Sequence, residues 1–180
     1  MLAKSKFPPP SRALAASAVS RLKNQLDSLG AILEGATPAA LHERSAEGKW
    51  SAHENLAHLA RYHEVFLFRL ERILGERSPR LGRYRAQEDP EAARWFELPT
   101  SEVVAGMQRL RATLLRRVIR LRGDQLARSA IHPAFGKMPL TLWIEFFLVH
   151  EGHHLYRVFQ RLREASGSRG AAIGPAKDAP

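Results

Sequence analysis

The stretch LVHEGHHLYR, Leu148 to Arg157, sets three histidines and a glutamate within five residues. Read as H-E-x-x-H, His150-Glu151-Gly152-His153-His154 has the ligand spacing of a zinc metalloprotease. In a helix, residues four apart share a face one turn along, so His150 and His154 can hold one metal ion between their imidazoles. Trp143, Phe146, Phe147 and Val158 fall on the same face. Histidines on an apolar face must be hydrogen-bonded, ligated or exposed, because an unpartnered buried polar group is costly. The protease reading fails on its third ligand. The extended pattern needs Gly where the chain has Arg157, and the downstream glutamate of the other type has only Glu164 to supply it. Di-iron carboxylate bundles need paired Glu-x-x-His motifs, and Glu151-x-x-His154 stands alone. Two readings remain, an ordinary polar helix face and a different metal site; for the second, His53, His58 and His63 are the upstream candidates for its third ligand.

These residues must be positioned by helices. Ala15, Val19, Leu22, Leu26, Leu29 and Leu33 recur at steps of three and four, which predicts one amphipathic helix of about six turns from Ser11, closed by Gly35. Thr37-Pro38 offers a cap and first turn for a short helix. A second long helix starts at an S-x-x-E capping box, Ser51 and Glu54, and ends at Gly75. Its apolar stripe, Leu56, Leu59, Phe66, Leu67 and Leu70, has His63 at its centre and His58 off to one side. Periodicity alone therefore selects His63. The stretch 76–99 has no clear period and reads as a long loop with one helical turn at Glu91–Trp95; loops of that length are more often functional than idle. A third helix runs from Thr100 or Ser101 to Gly123-Asp124. A connector with two prolines follows, and a fourth helix runs from about Leu140 to Glu164. No stretch reads as a strand. The expected fold is all-α, an up-down four-helix bundle spanning residues 11–164, with a flexible N-terminus (1–10) and a disordered tail (165–180).

Composition narrows the function. The chain has 180 residues and no cysteine, which excludes thiolate-ligated zinc, iron–sulfur clusters and a protein thiol nucleophile. No signal peptide or membrane span is expected, so the cytoplasm is the default location. The net charge of +10 admits a nucleic-acid partner, engaged through Arg109, Arg116, Arg117 and Arg120 on the third helix. Arginine far exceeds lysine and alanine is abundant, a bias that a GC-rich genome produces by itself. No nucleic-acid-binding motif accompanies the charge, so this partner is disfavoured.

Two blocks bring a family into view. WSAHENLAHLARYHEVF resembles the W-S-x-x-E-x-x-x-H segment of the DinB/YfiT-like superfamily of metal-binding four-helix bundles. HPAFGKMPLTLWIEFFLVHEGHHLYRV resembles its later block, an H-P-x-x-G turn and then H-x-x-x-H. The resemblance implies a divalent metal, zinc or nickel, held by His58, His150 and His154. It thus opposes the choice of His63 made from periodicity. One account reconciles the two: the site lies at one end of the bundle, in a pocket beside the main stripe, and His63 is a buried neighbour. Three histidines leave a coordination position open for chemistry on a water or a thiol.

Within that site Glu151 is a candidate general base, while Glu54, His63, His153 and Tyr62 are candidates to line or support the pocket. By resemblance the leading function is thiol-dependent S-transfer or hydrolysis on a small molecule, with a low-molecular-weight thiol as a second cofactor. The competing reading is a non-catalytic, metal-binding stress-response module, whose closed site would recruit His63 or Glu54 as fourth ligand. On the last helix Ile144, Leu148, Leu155, Phe159 and Leu162 form a second apolar strip, which predicts either a central position in the bundle or a homodimer.

Overall fold

A computed structural model describes residues 13–172; the segment 1–10 and the end of the tail lie outside the described residues. The chain forms α1 (Ala16–Asn24), α2 (Ser28–Leu33), α3 (Pro38–His42), α4 (Ala52–Gly75), α5 (Ala93–Glu97), α6 (Thr100–Val118), α7 (Gly123–Ala127), β1 (Ser129–His132), β2 (Gly136–Pro139) and α8 (Leu140–Ala172). The kinked pair α1–α2 joins α4, α6 and α8 in the expected four-helix bundle, with α4 packed along both α6 and α8. None of the described helices is long and apolar enough to cross a membrane.

The capping box at the start of α4 is formed in full. Ser51 Oγ accepts from the Glu54 N–H at 3.1 Å, and the Glu54 carboxylate accepts from the Ser51 N–H at 2.8 Å. Such a cap contributes about 1 kcal/mol and fixes where the helix begins.

Four expectations are corrected. The first helix breaks at a 3-10 turn, Gln25–Asp27, where Ser28 Oγ donates to the Gln25 carbonyl at 2.9 Å. Short polar side chains compete with the helical ladder in this way. The third helix stops at Val118, and Gly123 opens the short α7 instead of ending its predecessor. The last helix continues past Glu164 to Ala172. The connector before it is an antiparallel hairpin that pairs Ala130 with Met138 and His132 with Gly136. Gly136 takes φ +73°, and His132 Nδ1 accepts from the N–H groups of Ala134 and Phe135 at 3.1 and 3.2 Å. Strands of four residues, bounded by Pro133 and Pro139, are too short to show an alternating pattern. The long loop then joins β1: Leu81 N–H donates to the Ile131 carbonyl at 3.0 Å, and Ile131 N–H to the Pro79 carbonyl at 2.8 Å.

The apolar core falls into two parts. One holds Leu22, Phe66, Leu114 and Phe147; the other holds Leu26, Leu59, Met107 and Leu155. Between them lies a polar layer with one residue from each helical unit: Gln25, His63, Arg111 and Glu151. The predicted second strip on α8 is largely internal, since Ile144, Leu148, Leu155 and Leu162 are buried, whereas Phe159 remains 42% exposed.

Gly106 of α6 makes room for Trp95. A Cβ at this position would meet two atoms of the indole ring at 2.6 Å. Alanine normally stabilises a helix by about 1 kcal/mol over glycine. Here the overpacking cost of about 1–3 kcal/mol outweighs that gain. Gly106→Ala should therefore lower the urea midpoint; a raised midpoint would show that the indole moves freely.

Candidate metal centre

His58 stands in the second turn of α4, and His150 and His154 stand on successive turns of α8. Their Nε2 atoms approach closely: His58 and His150 are 3.2 Å apart. One ligand nitrogen from each of the three rings lies within 4.8 Å of the other two. Two nitrogens held at bonding distance by a tetrahedral zinc ion stand about 3.3 Å apart, which the His58–His150 pair matches, with the third ring nitrogen within 4.8 Å of both.

The hydrogen bonds aim these rings. His154 Nδ1–H donates to Asn55 Oδ1 at 2.8 Å. The Asn55 amide nitrogen donates to the Ser51 carbonyl at 2.8 Å and the Trp50 carbonyl at 3.3 Å, so its oxygen is the acceptor left for His154. His154 is thereby fixed as the Nδ1–H tautomer with its Nε2 lone pair turned inward, as outer partners of metal-binding histidines do. The Nδ1 atoms of His58 and His150 are buried with no hydrogen-bond partner among the described residues. The polar engagement of these two rings is at the facing Nε2 atoms.

The surroundings are aromatic. Trp50 packs on His58 at 5.1 Å between ring centroids, Tyr62 on His150 at 4.0 Å, and Tyr84 stacks on His58 at 5.7 Å. Burial disfavours the imidazolium and lowers His58 to about 4. Burial first, then the neighbouring histidines, lowers His150 to about 3 and His154 to about 2. Burial thus favours the neutral form of all three rings, the form in which an imidazole can ligate a metal.

The remaining candidates are distributed differently. Glu151 is not placed as a general base. It is fully buried on the other side of α8, paired with Arg111 and accepting from Gln25 at 2.8 Å. The reason is angular: consecutive helical residues project about 100° apart, so a neighbour of His150 faces elsewhere. His63 is fully buried in the same layer, with Nδ1–H donating to the Leu59 carbonyl at 2.8 Å and Nε2 accepting from Arg111 Nε at 3.3 Å. An imidazole with that pattern is neutral, so its 3.2 Å approach to Glu151 is not an ion pair. Glu54 is engaged by its capping box and by Arg44. His53 bonds Thr100 Oγ1 and the Phe96 carbonyl at 2.9 and 3.0 Å. Tyr62 covers His150 and accepts from Arg69 Nη1 at 3.2 Å. His153 is exposed, edge-on to His154.

Sequence reasoning missed Asn55, Tyr84 and Arg111 as site-shaping residues. Asn55 carried a usable signal, three residues before His58 on the same helix. Tyr84 carried none, because its loop has no period.

Two predictions follow from the polar layer. Arg111→Met strands the Glu151 carboxylate and should cost about 3–5 kcal/mol in chemical unfolding, much of it recovered in Arg111→Met/Glu151→Leu. His63 is lowered to about 3 by burial and by the Arg111 charge. Between about pH 6.5 and pH 3 the unfolded chain therefore binds a proton here that the folded chain refuses, so stability is full above that window and is lost as pH falls through it. The slope is about 1.4 kcal/mol per pH unit for each histidine kept neutral. Chelator-treated protein should melt at a constant temperature above pH 7 and at falling temperatures below pH 6.5; a flat profile down to pH 4 would contradict this.

Comparison with known proteins agrees with the fold. YfiT from Bacillus subtilis, described as a probable metal-dependent hydrolase with an unusual four-helix bundle topology, is 20% identical, with a TM-score of 0.68 over 93% of this chain and 95% of its own. A second structure, described as a four-helix bundle protein, is 27% identical, with a TM-score of 0.57 over 79% of this chain and 95% of its own. None of the curated proteins matches the sequence. The family model of the DinB superfamily matches residues 21–158, a span that contains His58, His150, His154 and the helices that carry them, and the chain belongs to that superfamily.

Proposed function

We propose that this protein is a metal-dependent enzyme that holds one divalent ion, zinc or nickel, on His58, His150 and His154, and acts on a small molecule by hydrolysis or by transfer to a low-molecular-weight thiol. The observation that carries the reading is the 3.2 Å separation of the His58 and His150 Nε2 atoms, with the Asn55-oriented ring of His154 beside them. A bound divalent ion would supply Lewis acidity, activating a water or a thiol for attack. The protein's own part is to keep three imidazoles neutral, to hold His154 in one tautomer, and to exclude bulk water with Trp50, Tyr62 and Tyr84.

The open coordination position distinguishes this reading from the non-catalytic one. A closed site needs His63 or Glu54 as fourth ligand, and both are bonded elsewhere. The description of YfiT as a probable metal-dependent hydrolase supports the hydrolytic branch. The absence of cysteine suits a thiol brought in from solution.

The test is elemental analysis of protein purified without a nickel column or chelator. The parent should carry near-stoichiometric metal. His58→Ala, His150→Ala and His154→Ala should lose it, and His63→Ala should keep it. Asn55→Ala should weaken metal affinity by about 10–100-fold. A parent with no metal, even after reconstitution with zinc or nickel, would sink the proposal. The same reading includes self-association. Val149, Tyr156 and Phe159 leave an exposed apolar stripe on α8. Light scattering should give twice the chain mass of 20.2 kDa, and a monomer would remove this part.

A further inference from the structure

Beyond its two ligands, the metal-facing stripe of α8 turns basic. His150, His154, Arg157 and Arg161 follow one another at steps of four, three and four residues, which keeps them on one face of the helix. A hollow of about 190 Å³ opens along this stripe, with His154, Arg157 and Arg161 on one wall and Lys49, Trp50 and Asn55 on the other. His154 thus belongs to both the histidine trio and the hollow, and so does the hydrogen bond that orients it.

Among the described residues, three cations line this space and no carboxylate does. Two of them have carboxylate partners outside it: Lys49 pairs with Glu47, and Arg161 with Glu164 at 2.8 Å. Arg157 is different. It is half-buried, and its side-chain hydrogen bond is to the neutral Gln160, at 3.0 Å.

We propose that the hollow binds a carboxylate of the substrate, and that Arg157 holds it while the substrate's reacting end meets the metal. The inference rests on the metal-centre reading and narrows it to acidic small molecules. A planar guanidinium matches a carboxylate through parallel N–H donors. At 1.5 Å of rise per residue, Arg157 lies about 4.5 Å along α8 from His154. The substrate is therefore compact, with its acid group a few bonds from the reacting atom. Trp50, packed against both His58 and His154, supplies the apolar wall that the connecting carbons would touch.

The test uses the full chain loaded with cobalt(II), its metal content measured first. Mercaptoacetate and 3-mercaptopropionate are titrated against the neutral-tailed 2-mercaptoethanol by thiolate-to-cobalt charge-transfer absorption. All three bind as thiolates, so any preference reports the carboxylate. At low ionic strength the better of the two acids should bind about tenfold more tightly than 2-mercaptoethanol. Arg157→Gln should bring its affinity down to that of 2-mercaptoethanol, and Arg157→Lys should restore part of the preference. Cobalt-loaded protein that shows no preference, or an Arg157→Gln variant that retains it, overturns the carboxylate pocket and leaves the metal centre standing. A chain that takes up no cobalt removes both.

Discussion

The arrangement of the site depends on a charge pair buried where water does not reach. Arg111 from α6 and Glu151 from α8 meet in the middle of the bundle, joined by Gln25 and His63 from the other two helical units. Burying such a pair is expensive, and apolar residues of similar size often give equal or greater stability. What the pair supplies is orientation. An apolar face tolerates rotation of a helix by several degrees, because one aliphatic contact replaces another. A carboxylate with one cationic partner does not. With Glu151 held toward α1 and α6, the 100° step between neighbours turns His150 toward α4, and His154 follows one turn later.

The same division operates on α4. His63 points into the polar layer and His58 points out of it, toward the seam with α8. This explains why hydrophobic periodicity favours His63 and not the histidine that meets His150 and His154. Periodicity finds the most buried position, and His63 is indeed fully buried. A ligand needs a free lone pair and a route for the ion, whereas both nitrogens of His63 are committed to Leu59 and Arg111. The W-S-x-x-E-x-x-x-H resemblance picked out His58 because it encodes position relative to the helix start, which burial does not.

The long helices were legible because their signals are local. The α4 start is written in Ser51 and Glu54, and its stop in Gly75. Other features were hidden for physical reasons. The hairpin is stabilised by its side-chain-built turn and by the loop strand beside it, neither of which leaves a repeating pattern. The break in the first helix falls at a 3-10 turn beside the Ser28 hydroxyl, within an otherwise regular apolar stripe. Tyr84 stacks on His58 from a loop whose Leu81 is hydrogen-bonded to β1, a contact between segments fifty residues apart in the chain.

The HEGHH cluster looks like one catalytic motif, and the fold separates it into four roles. His150 and His154 face the seam, Glu151 enters the core, His153 faces solvent, and Gly152 lies against the Gln25 side chain, 3.9 Å from where a Cβ would sit. In a zinc protease the glutamate of this spacing works at the metal. Here its charge is spent on Arg111, on the far side of the helix. Under the proposed function, a base acting at the centre would then come from the substrate, from a co-reactant, or from a solvent molecule acidified by a bound ion. A small thiol that arrives as its own nucleophile needs no protein base, and a pocket lined by cations favours the ionised form of whatever acid enters it. The loss of the glutamate from the site and the basic character of Arg157 and its neighbours therefore fit the proposed function in the same way: the protein would supply position and positive charge, and the small molecules the electrons.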